Sequence, residues 1–239
     1  MLRAVFFDFD HTLHDLDTAF EPAVQVVFAS VCREAGVDLA KLKHCLHVVW
    51  GELWGRFLSG AVQEGLLYRE WFGTALPAAA ITVPGSALAA LAEQYLAAFE
   101  AGLCLFPDVL PSLRALRAAR PEVVLGLLSN GPSLRQRRRI SAQGLDAFFP
   151  IRVISEEVGR AKPDRAFFGA ALDLAGVAPA EAVMVGDDPR TDIAGAKGAG
   201  IRAVWLNRSG GLWPAGLLPV ADAEVRALDE ALALVQGWS

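Results

Sequence analysis

The chain has 239 residues, of which 54% are hydrophobic and 21% are charged. This balance is typical of a globular protein with a sizeable core, and it excludes intrinsic disorder. The formal net charge of -5 gives no general attraction for nucleic-acid phosphates or for anionic lipid surfaces, so any phosphate has to be bound locally.

Cysteine usage and the N-terminus bear on the compartment. Cys32, Cys45 and Cys104 are odd in number and lack a C-x-x-C spacing, which favours free thiols in a reducing cytoplasm. Residues 1–7 run directly into acidic residues and lack the long apolar region of a signal peptide. No stretch reaches the roughly 18 uncharged apolar residues that cross a bilayer. We therefore expect a cytoplasmic protein without a membrane segment.

The first predicted element is a strand over residues 4–7, an apolar run that ends in carboxylates. After it the pattern becomes helical, and we interpret residues 15–103 as a helical domain inserted into a core made of residues 1–14 and 104–239. Ser86 is expected to cap the last helix of this insertion. The helices are predicted over residues 18–35, 48–58, 65–75 and 86–100. Four aromatic side chains are expected to form the core of this bundle: Trp50, Trp54, Trp71 and Phe72.

Beyond the insertion, apolar runs that lead into polar loops alternate with helical patterns. Strands are predicted over residues 123–128, 182–185 and 201–206, and helices over 109–119, 134–143, 164–175, 193–199 and 224–235. This alternation predicts a doubly wound, mostly parallel α/β sheet of the Rossmann-like kind. Ligands of such sheets bind beyond the carboxyl ends of the strands, where the polar loops lie.

The first polar loop carries two carboxylates, Asp8 and Asp10, at alternate positions just past a strand end. Side chains two residues apart on an extended chain point the same way, so both can face one cleft and attract a cation. A calcium loop is excluded because such a loop requires Gly at its sixth position and Glu at its twelfth, where this chain has Leu13 and Ala19.

Two further strand ends and one loop offer groups that could bind an anion or a cation. Ser129 and Asn130 follow the second strand, with a hydroxyl and an amide in a turn sequence. Lys162 precedes Pro163, which we expect to open a helix and to fix the direction of the lysine; Arg160 is a competing cation. Three more carboxylates follow the third strand: Asp187, Asp188 and Asp192.

So many carboxylates at one edge of a sheet repel one another unless a cation compensates them. Mg²⁺ takes oxygen ligands and leaves room for water and phosphate, so it is the natural counter-ion. Helix capping by Asp188 or Asp192 accounts for one of these carboxylates without any metal.

The ordered set of Asp8-Phe9-Asp10, Ser129, Lys162 and Gly186-Asp187-Asp188 with Asp192 resembles the four motifs of the haloacid dehalogenase superfamily. The helical insertion is similar to the cap that this family places between its first and second motifs. The segment of residues 48–54 and that of residues 155–159 resemble the nucleotidase-like branch, which acts on nucleoside monophosphates.

This resemblance implies a Mg²⁺-dependent phosphatase with roles for each matching residue. Asp8 would be the nucleophile, and Asp10 the general acid and base. Mg²⁺ would be held by Asp8, the backbone carbonyl of Asp10 and Asp187, with Asp188 or Asp192 acting through water or by orienting the lysine. The phosphate would be bound by Ser129, Asn130 and Lys162. The family's dehalogenases lack the second aspartate, so Asp10 favours phosphoryl chemistry.

Several alternatives stay open on the sequence. A sugar phosphate or phosphoglycolate could be the substrate, or the protein could be a phosphomutase. A phospho-accepting receiver module is a non-enzymatic alternative, although receivers place the acceptor aspartate after a middle strand and have no large insertion. The basic run of residues 135–139 is expected to be a solvated helix face and not a nucleic-acid site. The partner expected is a small phosphomonoester, and the oligomeric state cannot be read.

Overall fold

A central parallel sheet determines where the polar loops lie. The computed structural model describes residues 1–238. Its strands are β1 (Ala4–Asp8), β2 (His14–Asp15), β3 (Cys104–Leu105), β4 (Val124–Ser129), β5 (Ile151–Ile154), β6 (Ala182–Gly186), β7 (Arg202–Leu206) and β8 (Ala223–Val225). Six of them form one sheet in the order β5-β4-β1-β6-β7-β8, while β2 pairs with β3. All pairs in the six-stranded sheet are parallel. The predicted α/β fold class is therefore confirmed.

Both faces of the sheet are covered by helices, which explains the uninterrupted apolar runs of the strands. In β1, Val5 and Phe7 point into one apolar cluster, and Ala4 and Phe6 point into the other. The first cluster contains residues of α5 (Val109–Ala119), α6 (Ser133–Ala142) and α10 (Leu228–Gly237). The second contains residues of α8 (Arg165–Ala175) and α9 (Ala194–Gly198). A four-residue helix, α7 (Ser155–Val158), follows β5.

The chain divides into two compact units. One consists of Met1–Asp15 together with the chain from Leu105 onward and contains the large sheet; the other is Leu16–Cys104. These bounds lie within one residue of the expected domain boundaries at 14/15 and 103/104. The function of the second unit as a cap stays a prediction.

The second unit is helical. Its helices are α1 (Asp17–Ala35), α2 (Leu39–Leu58), α3 (Glu64–Ala78) and α4 (Gly85–Gly102). Helix α1 packs against α4, and α2 against α3. The side chains of Trp71 and Phe72 are buried in its core, and those of Trp50 and Trp54 pack half-buried against it. Trp71 also donates its indole N–H to the carbonyl of Leu46 at 2.8 Å. Trp71 and Phe72 therefore belong to the bundle core as expected, whereas Trp50 and Trp54 lie at its edge.

Several predicted element boundaries were wrong. Residues 224–235 do not form one helix, because residues Ala223–Val225 add an edge strand before the helix begins at Leu228. Helix α2 begins at Leu39, where Asp38 caps it by accepting from the N–H of Ala40 at 2.9 Å. Ser86 does not cap α4, which begins one residue earlier.

The start of α8 and the segment after β6 also differ from expectation. Pro163 does not open α8; the helix begins at Arg165, and Asp164 caps it by accepting from the N–H of Ala166. A π-helical turn, Pro189–Ile193, precedes α9. Within residues 1–238, no helix has both the length and the apolar character required to cross a membrane.

Candidate active site

The strand order places three polar loops side by side. Strand β1 lies between β4 and β6, so the chain crosses from one side of β1 to the other between β5 and β6. Ligands of open α/β sheets bind at such a switch point, beyond the carboxyl ends of the strands. Asp8 is the last residue of β1, Ser129 that of β4, and Gly186 that of β6. Residues that are far apart in sequence thereby share one edge of the sheet.

A buried ammonium group links this edge together. The Nζ of Lys162 donates to Oδ1 of Asp8 at 2.5 Å, to Oδ1 of Asp192 at 2.7 Å and to the carbonyl of Leu128 at 3.0 Å. Burial alone would lower the pKa of Lys162, but the carboxylates of Asp192 and Asp8 raise it above its ordinary value. Lys162 is therefore a permanent positive charge in contact with the end of β1.

The second partner of this ammonium, Asp192, is held by the backbone around β6. Its Oδ2 accepts from the N–H of Asp188 at 3.1 Å. A Cβ atom at Gly186 would lie 2.5 Å from that Oδ2 and 2.6 Å from Cγ of Asp192. Only glycine leaves room for this carboxylate. Asp188 itself caps the π-helical turn, since its Oδ1 accepts from the N–H groups of Arg190 at 2.7 Å and Thr191 at 3.4 Å.

Three carboxylates at this edge approach one another closely. One carboxylate oxygen of Asp8, one of Asp187 and one of Asp192 lie within 4.8 Å of one another. Burial raises the pKa of Asp187 well above its ordinary value, and the neighbouring carboxylates of Asp8 and Asp192 raise it further. Burial likewise raises the pKa of Asp192 to about 7, although Lys162 opposes that shift.

This donor set fits a hard divalent cation. The cluster offers only oxygen atoms, and one ammonium group does not balance three carboxylates, so a second cation would relieve the repulsion that raises these pKa values. Thr12 orients one member of the set by donating its hydroxyl to Oδ1 of Asp187 at 3.2 Å. Trp205 donates its indole N–H to the Asp187 carbonyl at 2.8 Å.

The carboxyl of Asp10 is not part of this cluster and has its own partners. Its Oδ2 accepts from Nε2 of Gln136 at 2.7 Å, and its Oδ1 lies 3.4 Å from Nδ1 of His14. Burial alone would raise the pKa of Asp10, but the hydrogen bond with His14, the charge of Arg139 and the hydrogen bond from Gln136 lower it to about 2. The His14 ring is itself fixed by stacking on Phe9, with centroids 4.6 Å apart.

The end of β4 and the loop after it hold Lys162 and Gln136 in place. Both polar atoms of the Asn130 side chain bond to the backbone of Lys162: Oδ1 accepts from its N–H at 2.8 Å, and Nδ2 donates to its carbonyl at 3.0 Å. This geometry favours a role for Asn130 in positioning Lys162, and its predicted phosphate contact stays a prediction. The Ser129 hydroxyl accepts from Nε2 of Gln136 at 2.7 Å.

The structure thus brings Asp8, Lys162, Asp187 and Asp192 together directly. Asp188 caps the π-helical turn that contains Asp192. Sequence reasoning missed His14 and Gln136. Their signals were their positions, four residues after Asp10 and in the helix that follows β4. The basic run of residues 135–139 is not a uniformly solvated face: Arg137 and Arg138 are exposed, whereas Arg135 and Arg139 are half-buried.

Comparisons with known proteins agree with this geometry. The family model for haloacid dehalogenase-like hydrolases matches residues 2–200. Phosphoserine phosphatase from Thermus thermophilus is 43% identical over 125 residues, which is 52% of this chain and 48% of that protein. The aligned part of this chain therefore spans about half the length of that relative. Human N-acylneuraminate-9-phosphatase is 30% identical over 253 residues, which is 98% of this chain and 94% of that protein.

Solved structures share the fold. The 2-haloacid dehalogenase from Pseudomonas syringae superposes with a TM-score of 0.65 at 32% identity, covering 100% of both chains. The family match covers most of the chain, and the human relative aligns over nearly its whole length. This chain therefore belongs to the haloacid dehalogenase-like hydrolase family.

Proposed function

We propose that this protein is a Mg²⁺-dependent phosphatase that hydrolyses a small phosphomonoester through an aspartyl-phosphate at Asp8. The observation that carries the proposal is the buried contact of Lys162 with Asp8, 2.5 Å long, beside the oxygen cluster that Asp8 forms with Asp187 and Asp192. A nucleophilic carboxylate, a buried positive charge and a cation site then lie at one edge of the sheet.

In the first step an oxygen of Asp8 attacks phosphorus, and the bond to the ester oxygen breaks as the alcohol leaves with a proton from Asp10. In the second step water attacks the phosphorus and gives its proton to Asp10, while the bond between phosphorus and the Asp8 oxygen breaks. Inorganic phosphate leaves and both carboxyls return to their starting states. The positive charge of Lys162 and a hydrogen bond from the Ser129 hydroxyl stabilise the phosphoryl oxygens, on which charge is redistributed in both transition states.

The metal would be held by Asp8, Asp187 and the backbone carbonyl of Asp10, with Asp192 orienting Lys162. Mg²⁺ in this set neutralises phosphoryl charge and keeps the nucleophile and the phosphate together. Asp10 is ionised at neutral pH in this structure, because its pKa is about 2. A phosphate dianion beside it would raise that pKa by like-charge repulsion, which is the condition for Asp10 to donate a proton.

The substrate class we propose is a phosphate ester of a primary alcohol. Phosphoserine and N-acylneuraminate 9-phosphate, for which the two phosphatase relatives are named, both carry phosphate on a CH₂–O group. Nucleoside 5′-monophosphates share this chemistry, as do many sugar phosphates. Phosphoglycolate, also such an ester, and a phosphomutase activity remain the alternatives within the family.

Dehalogenation is the second candidate, because a dehalogenase shares the fold at 32% identity. Asp10 speaks against it. A halide leaves without a proton, so a dehalogenase has no use for a carboxyl that is held by Gln136 and His14 next to the nucleophile.

The experiment is a screen of the purified protein for phosphate release with Mg²⁺. The panel comprises phosphoserine, nucleoside 5′-monophosphates, hexose 6-phosphates, phosphoglycolate and N-acylneuraminate 9-phosphate, with 2-chloropropionate tested for chloride release. We expect turnover of at least one phosphomonoester, none of 2-chloropropionate, and loss of turnover in Asp8→Asn. Asp229→Asn, at an exposed position of α10, is the matched control.

Two results would overturn the proposal. Activity that survives in Asp8→Asn would remove the nucleophile. A phospho-enzyme that forms once and persists without release of phosphate would instead favour a phospho-accepting module.

A further inference from the structure

One amide side chain connects two groups to which the proposed mechanism gives separate roles. Gln136 is only 2% exposed, and its Nε2 donates to Oδ2 of Asp10 at 2.7 Å and to Oγ of Ser129 at 2.7 Å. An amide nitrogen carries two hydrogens. Both are used, one on the predicted acid and base and one on the predicted phosphate ligand.

The orientation of this amide follows from its partners. The amide nitrogen faces Asp10 and Ser129, since Nε2 lies 2.7 Å from an oxygen of each and both oxygens can accept a hydrogen bond. Oγ of Ser129 then accepts from Gln136, and its own hydrogen must point elsewhere. The acceptor found for it within the described residues is the Asn130 carbonyl at 3.5 Å, at the limit of a hydrogen bond. A phosphoryl oxygen would be a better acceptor.

The surroundings hold Gln136 in this position. A Cβ atom at Gly131 would lie 3.0 Å from Nε2 and 3.4 Å from Cδ of Gln136, so the glycine leaves space for the amide. Helix α6, which carries Gln136, is tied to α7: Ser133 donates its N–H to Glu156 at 2.7 Å, and Arg137 donates two hydrogen bonds to Glu157 at 2.6 and 2.7 Å.

The other end of the amide argues against a purely structural role. Oε1 of Gln136 is buried and accepts no hydrogen bond from the residues that the structure describes. A buried acceptor without a donor destabilises the fold, so a glutamine kept for stability would be expected to pair both ends. The end that is paired is the one that faces Asp10 and Ser129.

We propose that Gln136 is a positioning residue, which fixes the orientation of the Asp10 carboxylate and directs the Ser129 hydroxyl hydrogen toward a phosphoryl oxygen. The inference rests on the proposed phosphatase function. Without Gln136, the Asp10 carboxyl can rotate away from the leaving oxygen. The loss of activity should therefore be larger for esters whose leaving group needs a proton more.

The test is the leaving-group dependence of kcat/KM in Gln136→Met, which keeps the length of the side chain and removes the amide; kcat/KM reports the step in which the alcohol leaves and not the later hydrolysis of the phospho-enzyme, which is common to all esters. The substrates are p-nitrophenyl, phenyl and benzyl phosphate, with Mg²⁺ present. General acid catalysis contributes about 10²- to 10⁴-fold when a proton is required. We expect kcat/KM to fall at least about 30-fold for benzyl phosphate and less than about fivefold for p-nitrophenyl phosphate. Gln236→Met, at an exposed position of α10, is the matched control.

A second variant and a double mutant separate positioning from stability. Gln136→Asn keeps the amide but shortens its reach, and it should show the same dependence on the leaving group if Gln136→Met does not fold. Gln136→Met combined with Asp10→Asn should have a kcat/KM toward benzyl phosphate at most about fivefold below that of Asp10→Asn alone, because the contribution through Asp10 is already lost and only the contribution through Ser129 remains.

The outcomes are distinguishable from those of the proposed function. A wild-type protein that hydrolyses no phosphomonoester refutes the phosphatase proposal itself. An active wild type whose Gln136 variants lose activity equally with all three esters, or lose none, refutes the positioning role alone.

Discussion

A methyl group added at Gly186 should separate the ammonium from its carboxylate partner. Cγ of Asp192 would lie 2.6 Å from that methyl, whereas ordinary contacts begin at 3.4 Å, so Asp192 must retreat by about 0.8 Å. The bond between Lys162 and Oδ1 of Asp192 would then lengthen from 2.7 Å to about 3.5 Å, which is too long for a hydrogen bond.

The expected cost has two parts. Loss of a hydrogen bond between charged groups costs about 1.5–3 kcal/mol, and overpacking adds about 1–3 kcal/mol. We therefore expect Gly186→Ala to lower the free energy of unfolding by roughly 2.5–6 kcal/mol. Because a displacement near 1 Å at a catalytic group can cost about 10²-fold in rate, kcat should fall by a similar factor.

Urea unfolding at pH 7 and phosphate release with Mg²⁺ measure the two effects. The matched control is Gly126→Ala, whose Cβ would lie 2.6 Å from Cδ1 of Phe6 within the apolar core. It should lose about 1–3 kcal/mol of stability and keep its activity per folded molecule. If Gly186→Ala instead keeps wild-type stability and a kcat within twofold, the buried contact between Lys162 and Asp192 does not matter as we argue.

Three further predictions concern the charges of the site. Lys162→Met should lower kcat by about 10²- to 10³-fold and stability by about 3–5 kcal/mol, measured by phosphate release and urea unfolding; a variant as stable as the wild type would contradict the buried-charge argument. The pKa values of Asp187 and Asp192 are raised in the folded protein, so the contribution of these two groups to metal-free stability should be complete below their unfolded pKa near 3.8 and should be lost as the pH rises through about 7. Urea unfolding across pH 4–8 checks the sign, and Mg²⁺ should flatten the curve; a stability that rises over this range would be the opposite result. Thr12→Val removes a hydrogen-bond donor from Asp187 and should weaken Mg²⁺ binding about tenfold or more. The measurement is the Mg²⁺ concentration at which half of the rise in Tm is reached, and an unchanged concentration would mean that Thr12 does not orient Asp187.

The parts of the fold that the sequence predicted are those with strong local patterns. Strands β1, β4, β6 and β7 are apolar because helices cover both faces of the sheet, so their runs are conspicuous. Strand β5 was missed because it is short and carries Arg152 in its middle, as an edge strand tolerates. The strand β8 was absorbed into the following helix, since its three residues give no periodicity of their own.

The residues of the site likewise fall into those that the sequence predicted and those that it missed. Asp8, Asp10 and Asp187 could be found because each stands just beyond an apolar strand, and parallel strands bring such positions to one edge. Gln136 could not be found this way. Its contacts with Asp10 and Ser129 depend on how α6 packs over that edge, and a glutamine among arginines has no local pattern that marks it. His14 likewise shows its role only when the turn after β1 closes and brings it next to Asp10.

The carbonyl of Leu13 accepts from the N–H of Phe106 at 3.0 Å, and both residues belong to the unit that carries the sheet. The two chain segments that flank the insertion are thus hydrogen-bonded to each other. Since the entropic cost of joining chain ends grows slowly with loop length, segments of very different size can connect them at similar cost. The length of the insertion can therefore change in principle while the carboxylates at the strand ends stay where they are.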